Sequence, residues 1–494
     1  MKGVDMYRYN LQEHWRREMG LVKPHAFARH VGGWQDLIRR FHLHAELEYH
    51  TGCVNTVHFN SSGDILVSGS DDRQIALWDW GARMKRFSFY SGHEDNVFQA
   101  RIMPFSDNKK IISCSADGQV RETDILDHGS VVTKKLAQHQ GRVHKLAVEP
   151  GSSRIFMSCG EDGVVRRFDL RDPDNKSMFK CHGLTGISKR RRHPVRLHCI
   201  VMNSRNSNYF AVGGSDIYAR VYDIRKTCWG ERECNDNHVE AVYPAHLRNK
   251  GPLHVTALAY SHQEELLVSY SDEQIYLFEK DMPSVPASSS DMATAGMPQA
   301  KEPQAFRGHR NAYSVKGVSF LGPNSEYVVS GSDCGNIFIW KKKDAELVSL
   351  FKGDNQVVNC LEPHPHATVL ATSGIEHTAK VWAPISEDYV PLPDNAEKIM
   401  ESNQRGREEG FQRLTDIIHI MRLQRRHDQP MLVSLFSQRG NRRNTRHGEG
   451  DEDSDDDGST VNGYLMVLHG GANDSSDTED DVDPQYSVNE CAVI

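Results

Sequence analysis

The sequence predicts an all-β fold built from seven copies of one strand-rich unit, and three observations carry that expectation. Similar segments recur at a fixed interval: SGSDDRQIALWD ends at Asp79, SCSADGQVRETD at Asp124 and SCGEDGVVRRFD at Asp169, 45 residues apart each time. A period of that size marks a repeat architecture whose units stack to share a core. The pattern then continues through segments ending at Asp223, Glu279, Lys341 and Ala383, which makes seven copies. Within a copy, short runs such as VNTVHF, DILVSGS and QIALWD alternate apolar and polar residues between Gly, Ser and Asp turns, the pattern of strands.

The elements follow in chain order. Asn10 precedes LQEHWRREMG, with Glu13 three residues on and Gly20 after the last turn, which predicts a capped helix. Trp34, Leu37, Ile38 and Phe41 then fall at helical spacing. Arg40–Tyr49 alternates apolar residues at Phe41, Leu43, Ala45 and Leu47, and is expected to complete the last unit as its outer strand. Both ends of the array would then meet in one sheet. Each copy carries an Asp six residues before an aromatic-type position: Asp72, Asp117, Asp162, Asp216 and Asp272, with Cys334 and Glu376 departing. The aromatic position itself reads Trp78, Thr123, Phe168, Tyr222, Phe278, Trp340 and Trp382.

These units resemble the WD40 repeat over Phe41 to Pro384, and the resemblance implies a seven-bladed β-propeller. In that family the Asp bonds the His of a preceding turn, so these acids read as structural and not catalytic. The degenerate copies predict departures from the cluster in blades 2, 6 and 7. The expected organisation is an N-terminal helical extension over 1–40, the propeller over 41–388, a helical extension over 389–430, and a disordered tail over 431–494 that is basic and then acidic.

Composition narrows the function classes. The chain has a formal charge of −8, but 14 acidic residues and no Lys or Arg lie from Gly448 onward. The remainder holds 53 acidic against 59 basic residues, a mildly basic body of about +6. No run approaches the roughly 18 apolar residues of a membrane span, and the amino terminus lacks a signal-peptide core. An intracellular protein is expected, with a nuclear and cytoplasmic location. The ten cysteines form no C-x-x-C pair, and reduced thiols are the expectation. Nucleophile elbows, phosphate loops, H-E-x-x-H and paired Cys/His ligands are absent, so no catalytic residue, metal or cofactor is assigned. Binding is the default role, and direct contact with nucleic acid is not expected.

Two copies end alike. FDLR closes at Arg171 and YDIR at Arg225, in neighbouring blades 3 and 4. In a meander every third strand ends on the face opposite the Asp-bearing turn, so both arginines emerge on one face. Paired Arg forks suit a partner's carboxylates or carbonyls. The ending resembles the W-D-x-R box of substrate receptors for cullin-4 RING ubiquitin ligases. Asp169 with Arg171, and Asp223 with Arg225, match its Asp and Arg, while Phe168 and Tyr222 replace its Trp. The stretches HTGCVNTVHFN, SGHEDNVFQA, GPNSEYVVSGSDCGNIFIW and VVNCLEPHPHATVLATSG extend the resemblance to the cullin-4-associated factors. It implies a non-catalytic receptor that binds the ligase's propeller adaptor and brings a protein substrate whose identity the sequence does not give. The alternative is a WD40 scaffold outside ubiquitin transfer, in chromatin or signalling, with the arginines incidental.

The flanks add candidate sites. Some receptors of this class dock a helical segment before the propeller into the adaptor; the competing expectation is a plug over the propeller's own face. Lys189, Arg190, Arg191 and Arg192 form a candidate nuclear-localisation run. The Pro/Ser/Ala-rich stretch Asp281–Pro303 reads as a flexible loop. Phe411, Leu414, Ile417, Ile418 and Met421 mark one helix face. Ser454, Ser476 and Thr478 each have an acid three places on, which suits an acidophilic kinase. The final CAVI fits a prenylation signal at Cys491, although the preceding residues are acidic and not the polybasic second signal that stable anchoring needs. A membrane partner is expected only with that prenyl group.

Overall fold

Seven four-stranded antiparallel sheets close into a ring in the computed structural model of the protein, which describes residues 12–183, 193–227, 229, 238–250, 253–280, 282, 302–312 and 314–409. Three short helices come first: α1 over residues 12–18, α2 (Pro24–Gly32) and α3 (Gln35–Ile38). Strand β1 (Phe41–Glu48) follows. Blade 1 is β2 (Val54–Phe59), β3 (Ile65–Ser70), β4 (Gln74–Asp79) and β5 (Met84–Tyr90). Blade 2 is β6 (Val97–Ile102), β7 (Lys110–Ser115), β8 (Gln119–Ile125) and β9 (Val131–Gln138). Blade 3 is β10 (Val143–Val148), β11 (Ile155–Gly160), β12 (Val164–Asp169) and β13 (Asp172–Lys180). Blade 4 is β14 (Leu197–Met202), β15 (Tyr209–Gly214), β16 (Ala219–Asp223) and β17 (Glu240–Val242). Blade 5 is β18 (Val255–Tyr260), β19 (Leu266–Tyr270), β20 (Ile275–Phe278) and β21 (Gln304–Phe306). Blade 6 is β22 (Val318–Leu321), β23 (Tyr327–Ser330), β24 (Asn336–Lys341) and β25 (Leu347–Lys352). Blade 7 is β26 (Val358–Pro363), β27 (Leu370–Gly374), β28 (Thr378–Pro384) and, returning from the start of the array, β1.

That return closes the ring as the alternation in Arg40–Tyr49 predicts. Phe41 lies opposite Pro384 and Glu48 opposite Thr378. Phe41, Ala45 and Leu47 point inward and are buried, whereas His42, Glu46 and Glu48 face solvent. Burying a Phe or Leu side chain contributes about 1.5–3 kcal/mol, so β1 fastens the two ends of the array through its apolar face as well as its ladder. The core is itself a ring. Seven separate clusters of buried residues each straddle two neighbouring blades, such as Val57, Phe59 and Trp78 of blade 1 with Ala371 and Val381 of blade 7.

The turns between the second and third strands of the blades lie on one face, here called the upper face. In blade 1 His50 Nδ1 lies 2.8 Å from Asp72 Oδ2, and His50 Nε2 lies 2.8 Å from Ser68 Oγ. The same Ser68 hydroxyl accepts from Trp78 Nε1 at 2.8 Å. Burial pushes the Asp72 carboxyl up, but His50 and the Gln74 and Thr51 amides outweigh it and hold it below the usual range. Blades 2 and 3 repeat the arrangement with His93, Asp117 and Ser113, and with His139, Asp162 and Ser158.

The pattern of departures differs from the one the aspartates predict. Blade 2 keeps its cluster although Thr123 supplies no ring N–H. Blade 7 keeps the Trp382 Nε1 bond to Thr372 Oγ1 at 2.8 Å, with Asp354 standing where other blades have His and accepting from the Gln356 and Glu376 amides. Blades 4 and 5 retain the Asp yet lose the histidine. Asp216 instead pairs with the fully buried Arg220, at 2.9 Å. In blade 5 a 3-10 turn over Ala245–Asn249 carries His246 to the Tyr276 hydroxyl, 2.9 Å away. In blade 5 the cause lies in the entering connection, whose 3-10 turn presents His246 elsewhere. Blade 6 departs as predicted: His309 is fully buried, and neither ring nitrogen has a partner.

A helix over residues 396–409, α4, mends that site from outside the array. Asn403 Nδ2 donates to Gly308 O at 2.8 Å and lies 3.4 Å from Cys334 Sγ, the sulfur that stands in place of the turn Asp. Met400 packs so close to Gly308 (φ +104°) that a Cβ there would sit 2.8 Å from it. On the opposite, lower face α2 and α3 cling to blades 6 and 7. Thr368 Oγ1 donates to Gly32 O at 2.9 Å, Tyr327 to Gly33 O at 3.0 Å, and Ile38 is fully buried against Leu321, Val329 and Trp382.

Most described cysteines are free and buried, and burial pushes the Cys114 thiol up to about 12. Cys53 departs from the expectation of reduced thiols, being disulfide-bonded. The stretches carrying Lys189–Arg192, Phe411–Met421, Ser454, Ser476, Thr478 and Cys491 also lie outside them, as does most of Asp281–Pro303.

Candidate protein-interaction face

The third strands of blades 3 and 4 run from the upper face to the lower and end there on Asp169 and Asp223. Their aromatic residues anchor them without a Trp. Phe168 stacks on Phe156 with ring centroids 4.6 Å apart, and Tyr222 stacks on Phe210 at 5.4 Å. With the strand ends fixed, each Asp folds the following residues into one motif. Asp169 Oδ1 accepts the Arg171 amide at 3.1 Å, and Asp223 Oδ1 accepts the Arg225 amide at 2.9 Å.

The same carboxylates hold the guanidinium groups in two-point forks. Arg171 donates through Nε to Asp169 Oδ1 at 2.9 Å and through Nη2 to Oδ2 at 2.6 Å. Arg225 repeats this on Asp223 at 3.0 and 2.8 Å. The Arg171 guanidinium, helped by the Arg171 amide, holds the Asp169 carboxyl down at about 2. Both pairs therefore stay ionised across the physiological range. Each Asp is covered while its Arg is not: side-chain exposure is 18 % for Asp169 and 0 % for Asp223, against 62 % for Arg171 and 61 % for Arg225. A fork of this kind fixes the torsions of a long side chain in advance, which lowers the ordering cost of a second contact. The rest of each guanidinium is largely exposed, and that of Arg225 also meets the Tyr209 hydroxyl.

Sequence reasoning misses a third fork on this face. In blade 1 Arg86 donates to Asp79 Oδ2 through Nε at 3.2 Å and Nη2 at 2.6 Å. Asp79 ends β4 as Asp169 ends β12, but its arginine comes from the next strand. The signal is an Arg seven residues after the Asp, across a hairpin. The N-terminal helices approach the same face. His14 of α1 meets Phe27 and Trp34 edge-on, at 5.1 and 6.3 Å. Trp15, Met19 and Leu21 stay exposed.

The comparisons with known proteins fit this architecture. The family model for the WD40 domain (WD domain, G-beta repeat) matches residues 41–79, 84–122, 300–341 and 345–383. The chain carries WD40 repeats. Those segments end in the third strands of blades 1, 2, 6 and 7, and each takes in the outer strand of the preceding blade, the one-strand offset that closes the ring. Mouse "DDB1- and CUL4-associated factor 6" is 31 % identical over 354 residues, covering 69 % of this chain and 39 % of that protein. The human factor is 30 % identical over 363 residues, 71 % of this chain and 41 % of its own length. The chain thus spans about two fifths of these relatives. Mouse "WD and tetratricopeptide repeats protein 1" is 23 % identical over 618 residues, covering 77 % of this chain and 90 % of that protein.

Proposed function

We propose that this protein is a substrate-recognition subunit of a cullin-4 RING ubiquitin ligase. It binds the ligase's propeller adaptor through the lower face that carries Arg171 and Arg225, presents a target protein elsewhere, and does no chemistry itself. The observation that carries this reading is the pair of equivalent Asp–Arg forks in adjacent blades, each with its carboxylate covered and its guanidinium presented to solvent. The names of the factor 6 relatives, which pair DDB1 with CUL4, support it. Within the cullin-4-associated factors we place the chain nearest the member numbered eight, on the stretches quoted above. Helix α1 and the exposed Trp15, Met19 and Leu21 supply a second contact with the adaptor beside the same face. The receptor acts in both nucleus and cytoplasm.

The test is co-precipitation of the adaptor from cells expressing the chain or its Arg171→Ala/Arg225→Ala variant. The wild type brings the adaptor down and the variant, equally abundant, does not. Retention by the variant contradicts docking through the forks; no adaptor with the wild type contradicts the ligase role.

A further inference from the structure

The innermost strand of every blade contributes to the central channel, which encloses about 290 Å3. Its lining is lopsided. Blades 2 and 3 place Arg101 of β6 and Lys145 of β10 in it, and blade 7 places Glu362 of β26. Blades 4 and 5 offer only Val201 and Ala259 at the strand position that Arg101 and Glu362 occupy in theirs. Among the described residues neither cation has a side-chain hydrogen bond or ion pair, and Arg101 Nε is buried without a partner. Two unpaired cations in a narrow channel repel each other, and a bound anion relieves both that repulsion and the orphaned donor.

We propose that the channel binds a small oxyanion, a tetrahedral or carboxylate group on a short apolar body, held by Arg101 and Lys145 with Glu362 opposing it. The inference goes beyond the ligase reading and does not depend on it. Glu362 is the one carboxylate in the lining, and His58 of β2 stands behind it with Nε2 3.4 Å away. Burial pushes Glu362 up to about 7 even though Arg101 and Lys145 pull it down. Burial and Arg101 hold His58 well below its usual range, and burial raises Tyr260, so both are neutral near pH 7. The other polar lining residues, Gln99, Cys199, Ser204, Ser319 and Cys360, carry no charge there. Protonation of Glu362 therefore raises the channel from one net positive charge to two, and the anion binds more tightly as pH falls through 7.

Calorimetric titration of the full chain with sulfate and with butyrate tests this, since both probes keep a constant charge between about pH 6 and pH 8. Saturable binding of either is expected, up to about tenfold tighter at the lower pH. Sulfate alone identifies a phosphoryl-type ligand, butyrate alone a carboxylate. Arg101→Gln with Lys145→Gln lowers the affinity about tenfold or more. Glu362→Gln binds at the higher pH as tightly as the wild type does at the lower. Binding of neither probe, or affinity unchanged in the double variant, overturns the site. Should the double variant fail to fold, Glu362→Gln decides alone, and an unchanged affinity at the higher pH overturns it.

Discussion

The two faces of the propeller use the same residue type in opposite ways. On the upper face of blades 1 to 3, Asp72, Asp117 and Asp162 are turned inward, and a histidine and backbone amides satisfy them. On the lower face of blades 3 and 4, Asp169 and Asp223 end a strand, and each holds a guanidinium outward. Inward aspartates complete the fold, whereas outward forks leave donors for something else. Stability and binding should therefore separate by face.

The largest expected effect is on binding. Interface arginines at hot spots cost about thirtyfold each on truncation to Ala, so losing Arg171 and Arg225 together costs up to about a thousandfold in adaptor affinity. The melting temperature of that variant stays within about 2 °C of wild type, because both side chains are exposed. The upper face behaves in reverse. His50→Leu strips a buried Asp and Ser of their partner and destabilises by about 2 kcal/mol, with adaptor affinity unchanged. His309→Leu in blade 6, where both ring nitrogens lack partners, costs less than about 0.5 kcal/mol. Denaturant unfolding of the two variants side by side measures that difference, and equal costs would contradict the contrast between complete and mended blades.

Acid sharpens the same contrast. Asp72, Asp117 and Asp162 are held below the usual carboxylate range in the folded protein, so each contributes stability above the ordinary Asp value of about 4. That contribution disappears as pH falls through their folded values, and a melting series from neutral pH to about pH 3 follows its loss. His50→Leu flattens part of this dependence by removing the partner of Asp72. The smallest effect belongs to Arg86→Ala, which opens a fork two blades from Arg171. Adaptor affinity changes by less than about twofold if blades 3 and 4 hold the docking site. A loss as large as that from Arg171 would spread the interface across blade 1.

The sequence makes the repeats legible because strand alternation and a 45-residue period are local properties. The closing strand is equally legible, since Phe41, Leu43, Ala45 and Leu47 keep their alternation outside the array. The box residues are legible as a pair, and their two-residue Asp–Arg spacing is what lets the fork close. What the sequence hides depends on distant segments. The Asp in blades 4 and 5 predicts a histidine partner, yet Asp216 takes Arg220 of its own blade and the connection entering blade 5 carries His246 to Tyr276. Asn403 reaches Cys334 from 69 residues away, and Arg86 reaches Asp79 across a hairpin. The channel's ionisable groups belong to four different blades, and only ring closure brings Arg101, Lys145 and Glu362, with His58 behind it, together.

The central claim is that Arg171 and Arg225 form the docking site for the ligase adaptor. Titration of purified adaptor into the purified chain and its Arg171→Glu/Arg225→Glu variant, each with its melting curve, tests it most directly. The account predicts saturable binding by the wild type, a loss of at least about a hundredfold in the variant, and matching melting curves. Equal affinities for the two proteins would contradict it.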